Sequence, residues 1–305
     1  MYRISFNHTY DRLLDQLGTY KFRIDKLTQD ISSGQKIHKL SDDAIALSDS
    51  MRIKKSLSFI EEFKKNIGFA TDWLSETETS LKAMNDSLTR AKELAVQMAN
   101  ATQTADTREG AAEEIDQIIR HLVAVGNVKY DDRYVFSGLI TDTAPFSINT
   151  DAGTGRITSV TYQGDDGHFQ VPTNFDSNTT VNINGAEIGA QVGGTNDEIF
   201  STLISLRDAM LNNDPDGIRA QMDSLDDALQ TVNAQMSKVG SRMNALEAKR
   251  SALENIGIDK EILLSDAVDT DFASAVSDLE KTKMAFQASL KLFGNMAELN
   301  IVNYV

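Results

Sequence analysis

The 305-residue sequence has no cysteine, three prolines and few basic residues, and each shortage excludes a class of protein. Without cysteine the chain has no disulfide bond, no thiolate metal site and no cysteine nucleophile. Its 30 Lys and Arg stand against 45 Asp and Glu, which gives a net charge of −15. Because nucleic-acid binding needs a basic surface that releases counterions, we expect no nucleic acid among the partners.

Long apolar runs are also missing. No unbroken run of apolar residues exceeds four, as in Leu122 to Val125, so we expect no helix inserted in a membrane. The first 30 residues lack the apolar stretch of a secretory signal, and we therefore expect no export by the general secretory route. With 41% hydrophobic and 25% charged residues the chain is in the globular range, and its length predicts two or three modules.

Apolar residues near the start of the chain recur in alternating steps of four and three, which is typical of a coiled-coil seam. They are Leu13, Leu17, Tyr20, Ile24, Leu27 and Ile31. The pattern ends at Gly34, since glycine readily takes the left-handed conformation that ends a helix. Ser41 is then predicted to cap a second helix, with Asp42 and Asp43 placing negative charge at its positive end.

Two longer segments continue this repeat. The first predicts a rod from residue 42 to about 100, roughly 85 Å long at 1.5 Å per residue. A shorter helix capped by Asp106 is predicted to fold back against it. The second rod is predicted to start at Pro215, which suits the first helical position. The predicted seam of the first rod comprises Ile60, Ile67, Ala70, Leu74, Thr77, Leu81, Met84, Leu88, Ala91, Ala95 and Met98.

The last segment mirrors the first. Its apolar stripe comprises Phe272, Val276, Leu279, Phe286, Leu290 and Phe293. Isolated helices of this length are marginal in water, so both terminal stripes need a covering surface. They can form a buried core with each other, or pack against equivalent helices of neighbouring subunits. We expect these twelve terminal residues to form the assembly interface.

The middle of the chain, residues 140–196, loses the helical repeat. It holds 8 of the 18 glycines and 2 of the 3 prolines. Residues 156–163 are rich in β-branched and aromatic types and predict a strand, and residues 164–167 predict a turn. Asn184-Gly185 predicts a tight hairpin turn.

These patterns predict a mainly α fold, α+β overall. A long antiparallel coiled-coil or helical-bundle rod is built from the N- and C-terminal segments, and it carries a small inserted β domain. The predicted division has three parts: residues 1–40 with 265–305 as a terminal coiled-coil assembly domain, residues 41–139 with 196–264 as a helical rod domain, and residues 140–195 as the β domain.

Chemistry-bearing motifs are not found. His8, His38, His121 and His168 are scattered, and no nucleophile elbow, phosphate loop or dinucleotide pattern occurs. Asp165-Asp166-Gly167 lacks the spaced ligands of a calcium loop and predicts a turn. We therefore expect no enzyme activity, no catalytic residue, no cofactor and no metal site.

Three segments carry a family resemblance. KLTQDISSGQKIHKLSDDAIA (26–46) and RAKELAVQMAN (90–100) resemble the two signatures of the flagellin superfamily. YDDRYVFSGLITDTAPF (130–146) is similar to the corresponding stretch of the superfamily's hook-filament junction branch, and so are YQGDDG (162–167) and the C-terminal 21 residues. The signature residues carried over are Gly34, Ser41, Asp42, Asp43, Arg90, Glu93, Arg133, Phe136 and Gly138.

The resemblance implies a structural protein of bacterial motility, located outside the cell at the junction of hook and filament. The partners it implies are hook-associated protein 1 on the hook side, flagellin on the filament side, other copies of the chain in a ring, and a chaperone of the flagellar type III export system. Two alternatives stay open. One is a filament-forming flagellin, and the other is a secreted coiled-coil effector or adhesin whose β domain binds a ligand.

Overall fold

The computed structural model describes residues 2–39, 41–189 and 198–302, with side chains from residue 8 to 295 in those ranges. The helices are α1 (Tyr2–Ser33), α2 (Ala44–Met98), α3 (Ala105–Gly126), α4 (Glu198–Leu211), α5 (Pro215–Ala220), α6 (Met222–Val268) and α7 (Phe272–Val302). The strands are β1 (Lys129–Tyr130), β2 (Arg133–Tyr134), β3 (Phe146–Thr150), β4 (Ile157–Tyr162), β5 (Gln170–Asn174) and β6 (Ser177–Thr180).

The predicted fold class is confirmed: 71% of the described residues are helical and the strands among them form small sheets. The chain divides into two compact units. Unit 1 comprises Met1–Phe59 and Asn255–Val305, and unit 2 comprises Ile60–Glu254. The three-part division stays a prediction. Among the described helices, none has the length and apolar character needed to cross a bilayer.

In unit 1 the two terminal helices, α1 and α7, pack antiparallel. The rings of Tyr10 and Phe293 lie 4.9 Å apart between centroids, and Arg23 lies 3.8 Å from Asp278. At the opposite end Gln35 forms a β-bridge with Asp269. As residue numbers rise on α1 they fall on α7, so the two apolar stripes face each other along the pair.

The connections at that end are joined by backbone hydrogen bonds. Gly34 ends α1 with φ +72°, as the glycine signal predicts, and its carbonyl oxygen accepts from the amide of Thr270 at 2.9 Å. The amide of Lys36 donates to the carbonyl of Val268 at 2.8 Å. The loop after α1 is therefore fixed to the turn between α6 and α7.

Two predicted helix caps are each wrong by two residues. Ser41 does not cap α2. Asp43 does, because its carboxylate accepts from the amides of Ile45 and Ala46 at 3.0 and 2.9 Å. Asp106 does not cap α3. Thr104 does, in a capping box with Thr107. In each case neighbouring polar residues compete, and only the residue immediately before the first helical amide has the required geometry.

The helical core of unit 2 follows the predicted seam. All eleven seam residues predicted for the first rod are buried on α2. On α6 the buried residues recur every seventh position, at Leu225, Val232, Val239, Leu246 and Leu253. Asn85 donates to Asn233 across 3.0 Å and Lys92 pairs with Asp226. The order of these contacts makes α2 and α6 antiparallel.

The β part of unit 2 consists of antiparallel two-stranded sheets that pair β1 with β2, β3 with β4, and β5 with β6. The predicted strand over 156–163 is confirmed as β4. The predicted hairpin turn at Asn184-Gly185 is wrong: Asn184 caps a 3-10 helix, Gly185–Ile188. A Cβ on Gly185 would lie 2.2 Å from the Tyr162 ring, so this glycine permits close packing rather than a tight turn.

Buried polar contacts join these strands to the helices. The Asn127 side chain at the end of α3 exchanges two hydrogen bonds with the backbone of Phe146, at 2.8 and 2.9 Å. Arg207 of α4 lies 2.9 Å from Asp116 of α3, and both side chains are at least nine-tenths buried. The Arg207 guanidinium also donates to the carbonyl of Ile157 on β4. The strands and helices of unit 2 therefore share one core.

Candidate assembly interface

The predicted interface residues on α1 lie on the side that meets α7. All six, Leu13, Leu17, Tyr20, Ile24, Leu27 and Ile31, are half-buried, and none reaches the burial of a core side chain. In an isolated pair of helices, the partner helix covers each apolar stripe on one side only. The α1 stripe is therefore partly covered within the chain and partly open.

The predicted residues on α7 divide into two groups. Val276, Leu279, Phe286 and Phe293 are half-buried, in keeping with contact to α1. Phe272 and Leu290 are 62% and 45% exposed. These two side chains lie on surface that α1 leaves uncovered.

Further apolar side chains of unit 1 face solvent, and the sequence pattern did not select them. Twelve of the seventeen large apolar side chains exposed in the described ranges belong to this unit. Besides Phe272 and Leu290 they are Leu14, Phe22, Ile45, Met51, Ile256, Ile258, Ile262, Leu263, Met284 and Leu292. Phe22 is 72% exposed and Ile45 is 78% exposed. These ten residues lie outside the repeat of four and three residues that predicted the seam. The sequence signal that could have identified them is their apolar character on a helix face that the seam leaves to solvent.

The loop between α1 and α2 is held by polar contacts. His38 lies 2.9 Å from Asp30, a buried carboxylate near the end of α1. The Asp42 carboxylate accepts from the amides of His38 and Lys39, both at 3.0 Å, and these two bonds lower its pKa. Asp42 is thus a loop-closing residue, and Ser41 occupies the exposed turn beside it.

Arg90 and Glu93 lie on the part of α2 that belongs to unit 2. Arg90 donates to Glu114 of α3 at 2.7 Å and to Glu93 at 3.1 Å. The hydrogen bond that Arg90 donates to Glu114 is the main cause that raises the pKa of Arg90, and the bond that it donates to Glu93 adds to it. All three side chains are exposed, so this group links two helices at the surface of unit 2.

The remaining signature residues lie on β2 and in the loop between β2 and β3. Phe136 is fully buried, and its carbonyl accepts from the Tyr162 hydroxyl at 2.8 Å and the Gly185 amide at 2.9 Å. Gly138 has φ +76°, and a Cβ there would come within 2.6 Å of the Asp165 carbonyl oxygen. Arg133 is exposed on β2. Phe136 and Gly138 therefore fix the path of this loop, while Arg133 stays available to solvent.

Two arginines that the sequence reading missed close the end of α2. Arg108 is buried and donates to the carbonyls of Met98 and Asn100, at 3.0 and 2.8 Å. Arg219 donates to the carbonyl of Ala99 at 3.0 Å. Cations at a helix C-terminus satisfy its free carbonyls and match its dipole. Arg219 lies 120 residues from its acceptor, so no local pattern could have indicated this contact.

Metal binding has no support in the described ranges, because His, Asp and Glu do not gather there in groups of three or more suited to an ion. The polar residues named above instead cap helices, close loops and link elements. The surface that is free to contact other molecules is apolar helix surface, and most of it lies in unit 1.

Comparisons with known proteins agree with this picture. The family profile of the bacterial flagellin N-terminal helical region matches residues 4–141, and that of the C-terminal helical region matches residues 222–305. The flagellar filament 30.7 kDa core protein of Treponema maltophilum is 27% identical over 90% of this chain and 89% of its own. Flagellar hook-associated protein 3 of Salmonella typhimurium is 24% identical over 98% of each chain.

A solved structure extends the likeness to three dimensions. The crystal structure of Bacillus cereus FlgL superposes with a TM-score of 0.58 at 27% identity, covering 70% of this chain and 99% of that one. The two flagellin profiles together match most of the sequence, including both terminal helices. The chain therefore belongs to the flagellin superfamily, and it is a structural protein of the bacterial flagellum that resembles hook-associated protein 3 along nearly its whole length.

Proposed function

We propose that this chain is the adaptor of the hook-filament junction, where copies of it form a ring between hook-associated protein 1 and the flagellin filament. The observation that carries the proposal is the state of the terminal helices. They pair with each other, yet their seam residues stay half-covered and Phe22, Phe272 and Leu290 remain exposed. Surface of this kind is stabilised when neighbouring subunits cover it.

The same feature supports assembly outside the cell after transport as an unfolded chain. Unit 1 gains little from folding alone, because few of its apolar side chains become buried before subunits meet. Ordering the helices at the moment of assembly lets inter-subunit burial offset the lost conformational entropy. We propose that the flagellar type III system and a dedicated chaperone deliver the chain in this state.

A deletion strain tests the junction role. Cells that lack this chain should build hooks and release flagellin monomers into the medium, with no filament attached. Restoring the gene should restore filaments. Normal filament retention in the deletion strain would contradict the proposal.

Charged substitutions in the apolar seam of the terminal helices test whether this seam is the assembly surface. Leu17→Glu and Leu290→Glu each put a carboxylate into apolar contact, which assembly would have to desolvate. We expect the variants to be secreted but not incorporated, as read from filament counts and from the released protein. Gln16→Glu and Gln287→Glu are matched controls, because they add the same charge at exposed positions nearby. If the control variants lost incorporation to the same extent, the apolar seam would not be the assembly interface.

A filament-forming role is the second candidate, favoured by the 27% identity to the Treponema maltophilum filament protein. Self-assembly separates the two. Purified adaptor should add only a limited layer to hook ends that bear hook-associated protein 1, whereas a filament protein should extend seeds without limit. Long homopolymers observed by electron microscopy would favour the filament role.

A further inference from the structure

Unit 1 is nearly neutral as a whole, but its two stretches of sequence carry opposite charge. Residues 1–59 contain 10 basic and 7 acidic residues, a net charge of +3. Residues 255–305 contain 4 basic and 8 acidic residues, a net charge of −4. The two stretches can therefore attract each other, either within one chain or between chains.

The start of α2 presents a surface that is both apolar and basic. Ile45 is 78% exposed and Met51 is 63% exposed. Arg52 and Lys55 are exposed as well. At about 100° of rotation per residue these four side chains fall within an arc of roughly 120°, and we term them the α2 face. Residues 44–59 hold three basic residues against one acidic residue, a net charge of +2.

The end of α6 presents a surface of the same kind with the opposite charge. Ile258 and Ile262 are each 55% exposed. Asp259 and Asp266 are exposed beside them. By the same rotation these four side chains fall within an arc of roughly 100°, and we term them the α6 face. Residues 255–268 hold three acidic residues against one basic residue, a net charge of −2.

Most charges on the two faces are free to pair with another molecule. In the described ranges Lys55, Asp259 and Asp266 form no ion pair. Lys36 reaches Asp266 only at its backbone carbonyl oxygen, at 2.8 Å, and so leaves the carboxylate available. Arg52 pairs with an acidic residue three positions earlier at 3.0 Å, but both side chains are exposed and such a pair contributes little.

We propose that the α2 face of one copy docks on the α6 face of a second copy of the chain. Both faces are exposed in the single chain, so they do not cover each other within it. Their opposite charges and shared apolar side chains make each face a partner for the other. A contact between two different faces is heterologous, and contacts of this type generate rings or helical arrays. The docking rests on the proposed ring of copies and adds a contact to the one through the terminal helices.

Because the chain has no cysteine, a pair of introduced cysteines reports the contact without background. Full-length Met51→Cys and Ile262→Cys proteins are mixed with a short bismaleimide cross-linker, at concentrations at which sedimentation shows that copies associate. We expect a covalent dimer in the mixture and none with either variant alone. Val96→Cys, exposed on α2 in unit 2, replaces Met51→Cys as the control and should not cross-link to Ile262→Cys. No dimer in the first mixture, or equal amounts in both mixtures, would overturn the docking.

Charge reversal tests the complementarity and whether it acts between copies. Lys55→Glu and Asp259→Lys each place like charges on opposing faces, and we expect each to weaken association about tenfold in sedimentation. Mixing the two variants should restore association, because every contact between unlike copies then pairs opposite charges. Lys82→Glu reverses the same charge at an exposed site of α2 in unit 2 and should leave association unchanged. If the mixture of Lys55→Glu and Asp259→Lys stayed as weak as either variant, the charges would not act between copies and the docking would be wrong.

Failure of this proposal differs from failure of the proposed function. Association without the cross-link between Met51→Cys and Ile262→Cys would overturn the docking and leave the assembly role intact. No association at any concentration, even on hook-associated protein 1, would count against both the ring and the docking that rests on it.

Discussion

The two units of the chain differ in how many apolar side chains they bury and in their net charge. In unit 1 only Ile37, Val268 and Ala275 are buried apolar residues among the described side chains, and the rest of the buried apolar residues lie in unit 2. Unit 1 is close to neutral, with 14 basic and 15 acidic residues, whereas unit 2 has 16 basic and 30 acidic residues.

This contrast assigns a different source of stability to each unit. Unit 2 has a core of its own and a strongly acidic surface that keeps copies apart in solution. Unit 1 has neither a large core nor a repelling charge, and the proposed assembly would supply the missing burial. The experiments below test whether the contrast holds, starting with the largest expected effect.

Removing the buried carboxylate of unit 2 should have the largest effect. Asp116→Ala leaves Arg207 charged and buried without its buried partner, and we expect a loss of about 3–5 kcal/mol in the free energy of unfolding. Chemical denaturation followed by circular dichroism measures it. Asp208→Ala is the control, because Asp208 pairs with the same arginine but is half exposed, and we expect less than about 1 kcal/mol. Similar losses in both variants would mean that burial of the pair does not matter.

The same leucine truncation in each unit compares the two cores directly. Leu246→Ala empties a fully buried position on α6, and we expect it to cost about 2–5 kcal/mol. Leu17→Ala removes a half-buried side chain from α1, and in the monomer we expect less than about 1 kcal/mol. After assembly the cost of Leu17→Ala should rise, and disassembly by denaturant measures this. A large cost of Leu17→Ala in dilute monomer would show that unit 1 is stable alone.

Tyr162 tests a hydrogen-bond centre inside unit 2. Its hydroxyl donates to the carbonyl of Phe136 and accepts from the amide of Gly185 at 3.0 Å, so Tyr162→Phe should cost about 1–2 kcal/mol. Burial raises the pKa of Tyr162 from 10.0 to about 12. The unfolded chain therefore loses this proton first, and stability falls as pH rises from 10 towards 12.

The direction of this pKa shift predicts a second result for the wild type and Tyr162→Phe, which is the pH dependence of their unfolding free energies. Tyr162→Phe lacks the ionisable group, so the difference in unfolding free energy between wild type and variant should narrow between pH 10 and 12. A difference that stays constant across this range would contradict the assigned burial of the phenol.

The heptad repeat predicted most of the helical architecture, because a repeat among nearby residues shows which face of each long helix is buried. The eleven predicted residues of α2 are all buried since a helix can hide only one face, and the repeat identifies that face. The start of α2 was predicted less well, because Ser41 and Asp43 are equally good capping residues and backbone geometry decides between them.

Features that depend on distant residues could not be predicted in this way. Asn184-Gly185 has the composition of a hairpin turn, but contact of Gly185 with Tyr162 selects another conformation. Arg108 and Arg219 cap α2 from later helices. In unit 1 the exposed Ile256, Ile258, Ile262 and Leu263 of α6 belong to no seam that the sequence showed.

The smallest expected effect concerns the cap of α2 at its unit 1 end. Asp43→Ala removes the acceptor of the Ile45 and Ala46 amides, and we expect it to cost about 1 kcal/mol of local stability. Ser41→Ala, two residues earlier, should change little, because its side chain caps no amide in the helix. Hydrogen exchange at the first amides of α2 measures both variants. If unit 1 takes its stability from assembly, faster exchange in Asp43→Ala should be confined to this end of α2 and leave the amides of α3 unchanged. Faster exchange at α3 would instead show that the two units unfold together, and the contrast between them would be one of surface rather than of stability.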